Sequence, residues 1–155
     1  MSVVAYEIEQ RPKHTPRFTA DQTDWAAPDE ISSSTADIFR DIHFGDLRSI
    51  RRFSQGWDTY AAPAPNDIAV ENAARILRFL DAEVLIRARV LPSAEGGVGI
   101  AFVNQDRYAD LECSNDGDIL GVRYTGHQAP TLIQPNGSDI SILAALREIK
   151  AHIFG

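Results

Sequence analysis

A chain of 155 residues with 44% hydrophobic content supports one buried core, and a second domain is not expected at this length. Acidic residues outnumber basic ones by 22 to 15, and the formal charge of −7 argues against general affinity for a phosphate backbone. A single cysteine, Cys113, excludes an intrachain disulfide. No apolar run approaches the roughly 20 residues that cross a bilayer and no basic-then-apolar start is present, so a cytoplasmic location away from membranes is expected.

Residues 1–33 read as an N-terminal arm. Its alternating piece, Val4, Tyr6 and Ile8, is a candidate edge strand, and a polar stretch with Pro12, Pro16 and Pro28 follows, in which Trp25 would pin the arm to its own domain. The cluster Arg11, Lys13, His14 and Arg17 is broken by Pro12 and Pro16 and reads as solvated rather than as a nucleic-acid contact. Residues 34–155 read as a single α+β domain. From Thr35 to about Gln55, Ile38, Phe39, Ile42, Leu47, Ile50 and Phe53 recur at helical spacing, with Ser34 or Thr35 as the cap and Gly45 dividing the segment in two. Residues 56–65 connect, because each proline biases the preceding residue away from the helical region. Asn66 caps the next helix, which runs to about Glu83 with Ala69, Ala73, Ile76, Leu77 and Leu80 facing inward.

Three alternating segments then predict half-buried strands: Val98, Ile100 and Phe102; Ala109, Leu111 and Cys113; and Leu120, Val122 and Tyr124. If Gln105-Asp106 and Asp116-Gly117 are two-residue loops, Phe102 lies opposite Ala109, Ile100 opposite Leu111, Cys113 opposite Leu120, and Leu111 opposite Val122. All the apolar positions then share one face. Between Gln128 and Gly137, Pro130 and Pro135 flank Leu132-Ile133, which reads as a short edge strand or, more simply, a loop. A last helix, capped by Ser138, runs from Asp139 to about Ile153 and lays Ile142, Leu146, Ile149 and Ile153 on the sheet. The expected fold is α+β, in the order α-α-β-β-β-α: helices pack on one face of a three-stranded antiparallel meander, which becomes four-stranded if the N-terminal strand joins.

The run Gly56-Trp57-Asp58-Thr59-Tyr60-Ala61-Ala62-Pro63 resembles a Gly-Trp-Asp-x-Tyr-x-Ala-x-Pro-like element shared by small bacterial proteins, in which a helix, a proline and a Gly-rich strand meander follow. The likeness covers about residues 56 to 125 and departs from the pattern at Thr59 and Ala61, where glycines are expected. It implies the fold and assigns no catalytic residue. Read on their chemistry alone, Trp57 and Tyr60 offer apolar bodies with polar tips, and Asp58 can accept backbone N–H bonds. Such a loop is a structural clasp between two helices, or, as the lesser reading, a recognition site.

No metal or cofactor is expected. The 4 histidines, His14, His43, His127 and His152, are far apart and fit no ligand spacing. Gly96-Gly97-Val98-Gly99 leads into a strand, so no helix N-terminus follows to receive a phosphate. Cys113 points into the expected core as an inert thiol. On the face opposite the core the expected register gathers Tyr108, Asp110, Glu112 and Arg123, with Asp110 beside Arg123. A solvated face with a cross-strand ion pair is the ordinary reading of that group, and small residues at Gly97, Gly99, Ala101 and Gly121 suit a binding surface better than an active site. The function expected is therefore that of a non-enzymatic accessory protein, of antitoxin, immunity or adaptor type, whose partner is another protein. A small hydrolase using Asp110, Glu112 and Tyr108 is the alternative, and a structural homodimer the third.

Overall fold

The computed structural model describes residues 33–84 and 86–155. The candidate strand at Val4 to Ile8 and the proline-rich arm lie outside them. Helix α1, Ser33–Ile50, runs unbroken through Gly45. A glycine inside a helix costs about 1 kcal/mol relative to alanine, and here His43, Leu47 and Ile50, spaced by four and three on one face, bury enough to outweigh it. Ile38 and Ile42 fall on a neighbouring stripe and stay exposed, at 57% and 40%.

Helix α2, Asp67–Phe79, starts where the Asn66 side chain accepts the Ala69 N–H at 3.0 Å. Its Ala69, Ala73, Ile76 and Leu77 are fully buried. A single wider turn, Leu80–Val84, prolongs it and aims Asp81 back at α1. Helix α3, Asp139–Phe154, is capped by Ser138, which accepts the Ser141 N–H at 3.2 Å, and buries Ile142, Leu146, Ile149 and Ile153. Its last carbonyls are taken by the sheet: Arg107 donates to His152 O at 2.7 Å and Asn104 to Ile153 O at 3.0 Å.

The sheet is antiparallel and five-stranded, in the order β1 (Arg89–Pro92), β2 (Gly97–Asn104), β3 (Arg107–Ser114), β4 (Ile119–Thr125), β5 (Thr131–Ile133). The α+β class stands, but the sheet exceeds the three or four strands expected, and the described order is α-α-β-β-β-β-β-α. Both additional strands are short edges ending at or flanked by proline, the kind of strand that propensity hides.

Between β2 and β3 the pairing is as read from the alternation: Phe102 opposes Ala109 and Ile100 opposes Leu111, across the loop Gln105-Asp106. Between β3 and β4 it is shifted by one residue. Cys113 opposes Ile119, Glu112 opposes Leu120, and Ala109 opposes Arg123. The cause is the turn. Gly117 N–H bonds Ser114 O at 3.1 Å and Ser114 N–H bonds Asp118 O at 2.9 Å, closing a three-residue loop with Gly117 left-handed at φ 97°. Asn115 ties this turn to the start of α2: its Oδ1 accepts the Asn66 N–H at 2.8 Å and its Nδ2 donates to Ala64 O at 3.0 Å.

One side of the sheet carries Val90, Val98, Ile100, Phe102, Ala109, Leu111, Cys113, Ile119 and Ile133, all buried in a single core with the three helices. The other side carries no layer among the described residues.

Candidate functional site

The uncovered face can be read row by row from the pairing. Leu91, Gly99, Glu112 and Leu120 form one row, Val103, Tyr108 and Tyr124 another, and Val122 sits beside Leu132. Leu91, Val103, Leu120 and Leu132 are 43%, 60%, 44% and 58% exposed, and the Tyr108 and Tyr124 rings stack with centroids 4.9 Å apart. An open face of an antiparallel sheet ordinarily reads polar. This one is apolar and aromatic over most of its width.

Its two carboxylates are occupied. Asp110 Oδ1 accepts the Val122 N–H at 3.0 Å and Oδ2 accepts the Tyr108 hydroxyl at 2.9 Å, while Glu112 accepts the Ser93 hydroxyl. The β3–β4 pairing is interrupted where Asp110 intervenes, between the pairs Ala109–Arg123 and Glu112–Leu120. There Gly121 lies so close that a Cβ would stand 2.0 Å from the Asp110 carbonyl oxygen. Burial, and then the Asp110 carboxylate, push the Tyr108 phenol up to about 12. A recess of about 180 Å³ lies among Leu91, Gly99, Tyr108, Asp110 and Glu112, below the roughly 300–1,000 Å³ of small-molecule sites.

The structure therefore brings Tyr108, Asp110 and Glu112 together and separates them from Arg123. Opposite Ala109, Arg123 lies on the helix side, where its Nε donates to Glu148 of α3 at 2.8 Å. The expected Asp110–Arg123 neighbourhood fails because the three-residue turn reverses the parity of β4.

In the loop before α2, Gly56, Thr59 and Ala61 have φ of 79°, 68° and 66°. Thr59 and Ala61 thus take left-handed conformations without being glycine. Gly56 N–H bonds Ala62 O at 2.8 Å, and Asp58 Oδ1 accepts both the Tyr60 and Ala62 N–H groups, at 2.9 and 3.0 Å. Trp57 stacks on Phe53 at 5.2 Å and donates its indole N–H to Pro63 O at 3.3 Å. Trp57 and Asp58 close the loop; the Tyr60 side chain, on a residue 89% exposed, takes no part in closing it.

Sequence spacing offered no sign of a pair that the fold assembles from residues 38 apart: His43 Nδ1 lies 2.9 Å from Asp81 Oδ1. The imidazole is fully buried and its Nε2 accepts the Ala88 N–H at 3.1 Å, so Nδ1 carries the proton and donates to Asp81. A ring nitrogen already bonded to the backbone has nothing left to offer a nucleophile. The pair joins α1, the wide turn and the approach to β1. Cys113 is buried and free, and burial pushes its thiol up to about 12. Among the described residues no cluster of His, Cys, Asp and Glu forms a metal site, and no helix is long and apolar enough to cross a membrane. Comparison of the chain with family models, with curated proteins and with solved structures found no match.

Proposed function

We propose that this chain is a partner-binding accessory protein of the antitoxin, immunity or adaptor kind, acting in the cytoplasm through the uncovered face of its sheet. The parity of β4 carries this reading. Its inward positions are Ile119, Gly121, Arg123 and Thr125, whereas Leu120, Val122 and Tyr124 turn outward. Leu120 is 44% exposed and Val122 and Tyr124 are half-buried, so the strand forgoes part of the roughly 1.5–3 kcal/mol that full burial of each large side chain supplies, and such a face is ordinarily covered by another molecule. The hydrolase alternative finds less support, because both carboxylates on this face already hold hydrogen bonds within the fold.

The test pairs capture with stability. Leu120→Lys/Leu132→Lys should fold with an unchanged melting profile and lose a protein that the native chain captures stoichiometrically in its host, while Arg147→Glu, on an exposed position of α3, should retain it. Identical capture by all three chains would overturn the proposal. A face that instead pairs two copies would appear as a dimer by light scattering that Leu120→Lys/Leu132→Lys converts to monomer.

A further inference from the structure

Strand β2 runs to Asn104, but β1 begins only at Arg89, opposite Ala101. The two-residue loop closes at the Asn104–Arg107 pair, so the main-chain groups of Asn104, Phe102 and Ile100 bond toward β3 and those of Val103, Ala101 and Gly99 toward β1. Two more residues of β1 would set Arg87 against Val103. Instead the chain diverges at Ala88, whose N–H bonds His43. The main-chain N–H and C=O of Val103 have no hydrogen-bond partner among the described residues.

The parted strands leave a groove of about 290 Å³ bordered by Arg87, Arg89, Val103, Asn104, Ile153 and Phe154. Val103 and Phe154, 60% and 47% exposed, make apolar walls. Arg87 and Arg89 are exposed and, among the described residues, neither enters an ion pair. The carboxylates of the adjoining open face, by contrast, are engaged within the fold. In a chain of net charge −7, the charged side chains that border this groove among the described residues are both positive.

We infer that the groove receives an acidic, extended segment of a partner protein, which pairs its main chain with Val103 and sets carboxylates on Arg87 and Arg89. The inference rests on the open-face reading and supplies the chemistry of the partner there. An open strand position offers main-chain bonds, alternating side chains of an extended ligand fall on the apolar walls, and arginine holds carboxylates in bidentate geometry. A nucleic acid suits the groove less well, because two arginines provide little counterion release and the rest of the chain repels phosphate.

The experiment is fluorescence anisotropy of a short fluorescein-labelled peptide of alternating glutamate and leucine, titrated with the full chain at low salt. Arg87→Glu/Arg89→Glu should weaken binding by about tenfold or more, and the same peptide with lysine in place of glutamate should not bind. Val103→Pro, which deletes an N–H that the fold leaves unused, should keep the fold and weaken binding severalfold. Undiminished affinity in the arginine variant, equal binding of the lysine peptide, or full displacement by an oligonucleotide of matched charge would each overturn the inference. Should the native chain ignore the acidic peptide while Leu120→Lys/Leu132→Lys still abolishes partner capture, the groove assignment fails and the open-face reading stands.

Discussion

Replacing His43 with leucine isolates the buried pair that joins α1 to the edge of the sheet. The substitution roughly keeps the volume of a fully buried side chain but removes two hydrogen bonds, to Asp81 Oδ1 at 2.9 Å and from the Ala88 N–H at 3.1 Å. Asp81, with 7% of its side chain exposed and Oδ2 already lacking a partner, is then stranded. Losing a hydrogen bond to a buried carboxylate costs about 1.5–3 kcal/mol, and an unsatisfied buried N–H about 1–3 kcal/mol. Their sum, roughly 2.5–6 kcal/mol, is a large fraction of the 5–15 kcal/mol that holds a domain of this size. Leucine at position 81 as well removes the stranded carboxylate and leaves only the orphaned Ala88 N–H. The double variant should therefore be more stable than His43→Leu alone, by about 1.5–3 kcal/mol, in urea unfolding followed by circular dichroism across all four corners of the cycle. Additivity within about 0.5 kcal/mol, or a double variant less stable than His43→Leu, would show that the two side chains do not act as a unit.

Three other predictions rest on a close approach, a backbone angle and a raised pKa. Gly121→Ala places a Cβ against the Asp110 carbonyl at 2.0 Å, a main-chain atom with no freedom to yield; it should cost at least about 1–3 kcal/mol, and an unchanged melting temperature would contradict the close approach. Thr59→Gly relieves a β-branched residue at φ 68°, where the left-handed region costs roughly 1–2 kcal/mol, so that after the added freedom of the unfolded chain it should stabilise by about 0.5–1 kcal/mol; destabilisation in urea would show that Thr59 is not strained. The Tyr108 phenol should ionise at about 12 in absorbance at 295 nm, and Asp110→Asn should lower that midpoint without restoring it to 10.0, because burial is the larger cause. Folding then holds the Tyr108 proton more tightly than the unfolded chain does. The stability this supplies is complete below pH 10.0 and is lost as pH rises through about 12, a decline that Tyr108→Phe should reduce.

The helices were legible where several local signals agreed. Asn66 and Ser138 are caps, and the stripes Ala69–Ala73–Ile76–Leu77 and Ile142–Leu146–Ile149–Ile153 face the core as their spacing implies. In α1 the spacing misled, because its apolar residues occupy two stripes and the buried line runs through a histidine whose partners lie far along the chain. Glycine at position 45 suggested a break that the buried face of the helix overrides. The site was legible in part. Tyr108, Asp110 and Glu112 share the uncovered face through the alternation of β3, but Arg123 depended on the length of one turn. Within that turn the Asn115 side chain bonds two backbone groups beside α2, a tertiary contact without local signature.

The register of β4 departs from its own alternation for a physical reason that bears on function. Hydrophobic alternation assigns a register by assuming that the more apolar parity is buried. Applied to residues 119–125, that assumption hides Leu120, Val122 and Tyr124 and exposes Arg123, which is the reverse of the observed arrangement. The observed register is held independently by the three-residue turn, by the contact of Gly121 with Asp110, and by Arg123 reaching Glu148. Three constraints of different kinds thus keep an apolar strand face outward against the preference of its side chains. Conflicts between local pattern and fold concentrate at functional surfaces, where stability yields to recognition. Relaxing one constraint should expose the conflict: Arg123→Leu removes the polar inward residue and its bond to Glu148, and should leave the chain stable while raising its tendency to aggregate through two competing apolar faces, as measured by light scattering on warming. A variant that stays monodisperse to its melting temperature would show that the outward face carries no such tension.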